Sequence, residues 1–371
     1  MRVALVHDWL NGLRGGERCL DTFLAMYPEA DVYTLLHQPG TTTERIDTRL
    51  RETSFLQRLP GVQRYYRMLL PLYPRAVRGF SFDGYDLVIS LSHAAAKNIV
   101  VPQHIPHICY CFTPMRYIWD QAYHYFGAST GLLWPVIKRL RLWDHAASQN
   151  VTCLVGISNF VAARIRCFYK RHAEVIYPPV DTSWIKPARQ TSRGEAFLYA
   201  GALVPYKRPD LVIEAFNRLG EALWVVGDGP ELGRLRKQAN SNINFFGRVS
   251  DDELATMYAH CRALVFPGTE DFGMIPVECL AAGRPVVGYY HGGLRETLTG
   301  LKSWENSQLE PQLASGVFFR SRGGACDVSD LIEGLKCFIE HESEFSAASC
   351  IAQAARFSPS RFYSDWLALL E

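Results

Sequence analysis

Short apolar runs of strand type alternate with helix-type stretches along nearly the whole chain, and residues 264–298 show the repeating unit most fully. They read LVFPGTEDFGMIPVECLAAGRPVVGYYHGGLRETL. The apolar run at 263–266 is ended by Pro267-Gly268. Pro276 suits the first helical position, which places Glu278 in the first turn, and Gly283 suits a left-handed helix stop. A second apolar run follows at 285–288, and His291-Gly292-Gly293 opens the next loop. Strand, helix and strand in this order require a crossover, hence a parallel sheet covered by helices. Glu270 then falls past the carboxyl end of one strand, and Glu278 where the next helix begins. Ligands bind at that rim in open parallel sheets, so two carboxylates point to one crevice. The structural alternatives are a solvated loop charge for Glu270 and, for Glu278, complementation of the positive helix end.

The same alternation runs through the rest. Strands are expected at 3–6, 31–35, 86–91, 105–110, 152–156 and 174–177. Helices are expected at 17–26, from Ser92 or His93 through 99, at 134–147, and after Ser158 as N-cap. Residues 36–82 are poorly periodic, with helical pieces around 62–77. Tyr177-Pro178-Pro179-Val180-Asp181 breaks the pattern, because consecutive prolines continue neither helix nor strand. A domain boundary belongs here, in the polar tract that runs to Gly194. The alternation then restarts, with strands at 196–200, 222–226, 244–246 and 316–319 and helices at 209–219, 231–239, 327–340 and 344–356. The fold class is therefore α/β, with two doubly wound domains.

Composition narrows the chemistry. With 371 residues, 48% hydrophobic and 20% charged, the chain suits two globular domains rather than a disordered or membrane-spanning protein. No run reaches spanning length, and the N-terminus turns polar too early for a signal peptide. Ten cysteines without a paired framework point to reduced thiols in the cytoplasm. A net charge of +2 gives no reason to expect nucleic acid.

Several other positions carry candidate chemistry. Gly15-Gly16 at a strand-to-helix turn allows close backbone approach to a phosphate at a helix start. Lys207-Arg208, just before Pro209, sets a point charge beside a guanidinium fork at another helix start, which suits a diphosphate. The glycines of 227–233 imitate a dinucleotide fingerprint, but the third comes one place late, so no NAD site is expected. Asp251-Asp252 lies in the first turn of a helix capped by Ser250 and Glu253, which accounts for both acids without a metal. His93 is either a helix-start histidine or an acceptor-side group. Arg116 and Asp120, polar among aromatics, are open to structural pairing or to acceptor contact.

E-D-F-G-M-I-P-V-E with Gly283 and Pro285 behind it, G-x-L-x-x-x-K-R at 201–208, and Y-P-P-V-D resemble the retaining glycosyltransferases of the GT-B fold, family 4. The start, HDWL-x-G-x-R-G-G-E, resembles a mannosyltransferase subgroup that builds bacterial surface polysaccharide of the O-antigen type. The resemblance implies two Rossmann-like domains facing across a cleft: an acceptor domain at 1–180, a nucleotide-sugar domain at 181–350, and a C-terminal helix at 351–371 crossing back. It implies a donor site of Gly15, Gly16, Gly201, Lys207, Arg208, Gly247, Arg248, Val249, Glu270, Phe272, Gly273, Met274, Ile275 and Glu278. Glu270, Lys207, Arg208 and His93 are its catalytic candidates, and Arg116 and Asp120 its acceptor contacts. The implied activity is hexosyl transfer, with mannose from GDP-mannose first and glucosyl, rhamnosyl or fucosyl transfer as alternatives. A non-catalytic nucleotide-sugar-binding protein is the rival of another class. No metal or other cofactor is expected. Phe112 stands where relatives often carry histidine.

Residues 45–78 hold eight arginines against Asp47 and Glu52, interleaved with large apolar side chains, and 132–143 (LLWPVIKRLRLW) repeats the mixture. Such a mixture suits the surface of an anionic membrane, so the expected partners include a glycan or polyprenyl-linked acceptor and the cytoplasmic membrane face.

Overall fold

The computed structural model describes residues 1–186, 194–305, 310–322 and 326–371; the remainder of the expected linker, 187–193, lies outside them. Two compact units are formed, one from Met1–Pro178 with Asp365–Glu371 and one from Pro179–Ser364. Each has its own apolar core.

The first unit runs β1 (Val3–His7), α1 (Gly15–Met26), β2 (Asp31–Thr34), α2 (Glu44–Arg49), β3 (Leu50–Thr53), α3 (Tyr73–Val77), β4 (Leu87–Ser92) and β5 (His107–Cys111). It continues with α4 (Ala122–Phe126), α5 (Thr130–Ser148), β6 (Cys153–Gly156), α6 (Asn159–Tyr169) and β7 (Glu174–Val175). The strands form one sheet in the order β3-β2-β1-β4-β5-β6-β7, and every recorded pairing is parallel. β1, β4 and β5 are buried at every residue, as strands covered on both faces must be. The chain reverses its direction of travel across the sheet between β1 and β4, and this makes a switch point there.

Three local expectations are corrected. β3 carries the sequence LRET and is half exposed, so this edge strand has no apolar run to announce it. Residues 55–72 form three 3₁₀ turns rather than regular helix; Leu56, Val62, Tyr66 and Leu70 from them fill the core. No α-helix follows β4. The amides of His93, Ala94, Ala95 and Ala96 all donate to the buried Asp8 carboxylate at 2.5–2.9 Å, and only a 3₁₀ turn at Ala96–Asn98 remains. The turn stops at Asn98 because Ile99 is already extended, at φ −60° and ψ +158°. The helix expected at 134–147 also begins earlier, at Thr130, with Gly131 inside it.

The second unit runs β8 (Phe197–Ala200), α7 (Pro209–Leu219), β9 (Leu223–Val226), α8 (Leu232–Gln238), β10 (Ile243–Gly247), α9 (Asp251–His260) and β11 (Leu264–Phe266). α10 (Met274–Ala281), β12 (Val286–Tyr289), α11 (Leu294–Thr297), β13 (Gly300–Lys302), β14 (Gly316–Phe319), α12 (Val328–His341) and α13 (Ala347–Ala355) complete it. Its sheet is again parallel, ordered β10-β9-β8-β11-β12-β14-β13, with a switch point between β8 and β11. The last helix, α14 (Pro359–Leu370), ends in the first unit, where the buried Trp366 meets Phe23 edge-on at 4.6 Å and donates to the Tyr27 hydroxyl at 3.1 Å. No helix among the described residues is long and apolar enough to cross a membrane.

Burial makes β5 acid-sensitive. His107 is buried with Nε2 2.8 Å from Ser90 Oγ, and desolvation lowers its pKa from 6.5 to about 3. The unfolded chain therefore takes up a proton that the folded chain refuses. Stability is full above pH 6.5 and falls as pH drops toward 3, by up to roughly 5 kcal/mol at about 1.4 kcal/mol per pH unit. Urea unfolding at stepwise lower pH should show a shallower acid limb for His107→Gln than for the native chain.

Candidate active site

In the second unit the loops after β8 and β11 leave the sheet on either side of its switch point. Lys207 ends a 3₁₀ turn (Pro205–Lys207) after β8, and Pro209 opens α7 two residues later. Glu270 lies in the loop after β11. Lys207 Nζ stands 2.7 Å from Glu270 Oε1, with both side chains partly accessible. A Cβ at Gly268 would lie 3.0 Å from Lys207 Cα, so glycine lets the two loops touch. From the other side, Gly293 donates its amide to the Glu270 carbonyl at 2.8 Å. Gly292 has φ +70° and a Cβ on it would come within 2.4 Å of that same oxygen. Glu270 is thus pinned through its backbone while its carboxylate stays at the rim. The position a Gly201 side chain would take is 3.8 Å from both Lys207 Nζ and Ile275 Cδ1, which joins Gly201 and the start of α10 to the pair.

Arg208 adopts φ +54°, ψ +44°, left-handed for a residue with a Cβ, at a cost of about 1–2 kcal/mol. Its Nε lies 3.2 Å from Asp210 Oδ1, and Nη1 donates to the Cys326 carbonyl at 3.2 Å. The guanidinium is therefore held beside the N-terminus of α7 by that helix's own first-turn acid. α10 begins at Met274, two residues before Pro276, because Gly273 at φ +96° serves as its N-cap. Pro276 is then the third residue, where its missing amide is no loss. Glu278 accordingly lies in the second turn rather than the first, and accepts the Tyr258 hydroxyl at 2.9 Å. Burial, then Glu278, raises that phenol far above its ordinary pKa, which keeps it a donor. Phe272 is buried and meets Phe357 edge-on at 5.2 Å. Gly247 ends β10, Val249 is half-buried, and the exposed Arg248 stands 3.8 Å from Asp228. Asp251 and Asp252 occupy the first turn of α9 behind the Ser250–Glu253 capping box.

At the switch point of the first sheet, α1 starts at Gly15, two residues earlier than expected, with Glu17 accepting the Arg14 amide at 3.0 Å. His93 Nδ1 stands 3.2 Å from Asp8. Burial lowers the His93 pKa, although Asp8 and Glu17 act to raise it. Burial also works to raise the Asp8 carboxyl, yet His93, His7 and the amide bonds hold it below its ordinary 3.8. Asp120 forms an ion pair with Arg164 at 2.7 Å, and Arg164 donates to Thr113 at 2.6 Å, so the acid pins its own loop. Arg116, half-buried, reaches the same Thr113 hydroxyl at 3.5 Å. Sequence reasoning missed His7 and Asp8. Their signal was an ionisable pair at the end of an otherwise apolar run.

Residues 14–184 match Glycosyltransferase Family 4, and residues 181–306 match Glycosyl transferases group 1. Two successive segments of the chain are thus each similar to a glycosyltransferase family domain. An uncharacterized glycosyltransferase of Methanocaldococcus jannaschii is 31% identical over 155 residues, 40% of this chain and 43% of that protein. The O-antigen chain mannosyltransferase C of Escherichia coli is 27% identical over 154 residues, 37% of this chain and 42% of its own. The chain thus spans less than half the length of these curated relatives. Among solved structures, Anabaena HepE in complex with UDP superposes with a TM-score of 0.72 at 16% identity, covering 100% of this chain and 99% of its own. That glycosyltransferase architecture is GT-B: two Rossmann-like domains, each with a seven-stranded parallel sheet.

The contact between the loops after β11 and β12 gives a direct test. Gly292→Ala combines a left-handed φ with a clash at the Glu270 carbonyl, and should cost about 1–3 kcal/mol in thermal unfolding.

Proposed function

We propose that this chain transfers a hexose from a nucleotide sugar to a glycan or polyprenyl-linked acceptor, with retention of anomeric configuration. Mannose from GDP-mannose is the first choice of donor. The mannosyltransferase relative supports that choice, while HepE, also solved with UDP-glucose, keeps glucose as the main rival. The observation that carries the reading is the Lys207–Glu270 pair astride the second switch point, inside the group 1 segment.

The chemistry follows from charge. As the bond from the anomeric carbon to the phosphate oxygen breaks, negative charge grows on the leaving diphosphate. Lys207, Arg208 and the amides at the start of α7 stabilise it there. Glu270, fixed through its backbone, accepts hydrogen bonds from donor sugar hydroxyls near the reacting carbon, and Glu278 serves the ribose. The acceptor oxygen forms the new bond on the face that the phosphate leaves, and its proton passes to the departing diphosphate. His93 serves the acceptor side. With cationic side chains supplying the countercharge, transfer proceeds without a metal.

Calorimetry with GDP-mannose, UDP-glucose, GDP, UDP and the free nucleosides tests the donor site. Lys207→Ala should weaken nucleotide sugar and nucleoside diphosphate at least tenfold and leave nucleosides nearly unchanged. Glu270→Gln should bind donor but turn over roughly a hundredfold more slowly, with or without chelator. Equal losses for all ligands in Lys207→Ala would reject the diphosphate assignment. Binding without turnover in membrane extract would favour a nucleotide-sugar-binding protein.

We place the work of the enzyme at the cytoplasmic face of a membrane. Met68, Leu72, Leu132, Trp134 and Leu142 are exposed on the first unit, and Arg64, Arg67, Lys138 and Arg139 are exposed among them. Exposed apolar side chains interleaved in sequence with cations suit anionic lipid. Vesicles containing phosphatidylglycerol should float the native chain, and vesicles of phosphatidylcholine alone should not. Arg64→Glu with Arg67→Glu should reduce the bound fraction severalfold.

A further inference from the structure

Two imidazoles stand at the switch point of the first sheet, and each is oriented through Nδ1. His7 Nδ1 lies 3.1 Å from the Trp9 carbonyl oxygen, and His93 Nδ1 lies 3.2 Å from Asp8 Oδ2. A carbonyl only accepts, so the hydrogen bond of His7 puts its proton on Nδ1, and the carboxylate beside His93 favours the same tautomer there. In the neutral rings both Nε2 atoms are then bare hydrogen-bond acceptors. Burial works to keep His93 neutral, among Asp8, His7, Glu17 and Arg14. His7 is only 1% exposed, and its Nε2 has no hydrogen-bond partner. A buried acceptor left bare costs roughly 1–3 kcal/mol, an expense that a donor from outside the chain would remove.

The surroundings of that nitrogen say what kind of donor. A Cβ on Gly16 would lie 3.2 Å from His7 Nε2 and 3.4 Å from the Phe112 ring, so the lone pair faces the first turn of the twelve-residue α1. The His7 and His93 ring centres are 5.8 Å apart, and Phe112 lies 6.2 and 6.4 Å from them. First-turn amides donate, and imidazole Nε2 accepts. A phosphate oxygen cannot donate to Nε2, and an ammonium cannot accept from the amides. A hydroxyl does both.

We infer that His7 contacts substrate directly, accepting a hydrogen bond from a sugar hydroxyl through Nε2, and that Asp8 is a positioning residue that makes His93 present Nε2 beside it. The identity of the ligand as a sugar rests on the transferase reading above; the tautomers do not.

Ring-nitrogen NMR on the full chain labelled with ¹⁵N-histidine tests this at neutral pH. His7→Gln and His93→Gln assign the two rings. Should the first not fold, Gly16→Ala assigns His7 by pressing a methyl toward Nε2. Both rings should show protonated Nδ1 and bare Nε2, and Asp8→Asn should abolish the single tautomer of His93 while sparing that of His7. Methyl α-mannopyranoside or methyl α-glucopyranoside, titrated with GDP or UDP present, should move the His7 Nε2 resonance. A proton on His7 Nε2, an unchanged His93 tautomer in Asp8→Asn, or no response to either glycoside overturns the inference. Calorimetry of nucleotide sugars on the same samples separates the two readings. Lost donor binding with an intact glycoside response sinks the transferase reading, and the converse sinks only this one.

Discussion

Asp144 is the interaction on which the rim of the first unit depends. It has no exposed surface, and its two oxygens collect Lys97 Nζ, Asn98 Nδ2 at 2.8 Å, Trp119 Nε1 at 2.7 Å and the Tyr169 hydroxyl at 2.8 Å. Those donors come from the turn after β4, the loop after β5, and α6. A buried charge pair adds little over an apolar pair, but removing one partner costs roughly 3–5 kcal/mol. The gain is geometric. One carboxylate sets the relative positions of the segments that carry His93 and Arg116, and Asp8 then gathers the four amides that start the same turn.

The second unit reaches its geometry by other means. Backbone contacts through small residues do much of the positioning there. The loop after β12 grips the loop after β11 through the Glu270 carbonyl, and Gly268 lets Lys207 approach. The two units thus offer different chemistry from related topologies. The first presents two imidazoles beside helix-start amides. The second presents a lysine, an arginine and a carboxylate, the set on which the proposed donor site rests.

Most of the architecture was legible in the sequence because buried strands of parallel sheets are nearly continuous apolar runs, and prolines and glycines mark their ends. β3 escaped because an edge strand needs no such run, and the 3₁₀ segments at 55–72 escaped because their apolar residues follow no helical period. Lys207 and Glu270 were found as separate motifs, and only the fold brings them to 2.7 Å. The register of α10 was misread because Pro276 looks like a first residue, whereas the left-handed Gly273 starts the helix earlier. His7 and Asp8 went unmarked because their roles come from partners that are remote in sequence or belong to the main chain. The Asp8 carboxylate meets amides 85–88 residues away.

Arg208 sits in a backbone conformation that glycine would adopt without strain. A search for thermostable variants would therefore arrive at Arg208→Gly early, trading the guanidinium for a relaxed turn. Under the function proposed above, a search for faster variants would discard the same change. Stability and turnover would then be opposed at a single dihedral angle, and this residue, more than any in the cores, is where an engineer would have to choose between them.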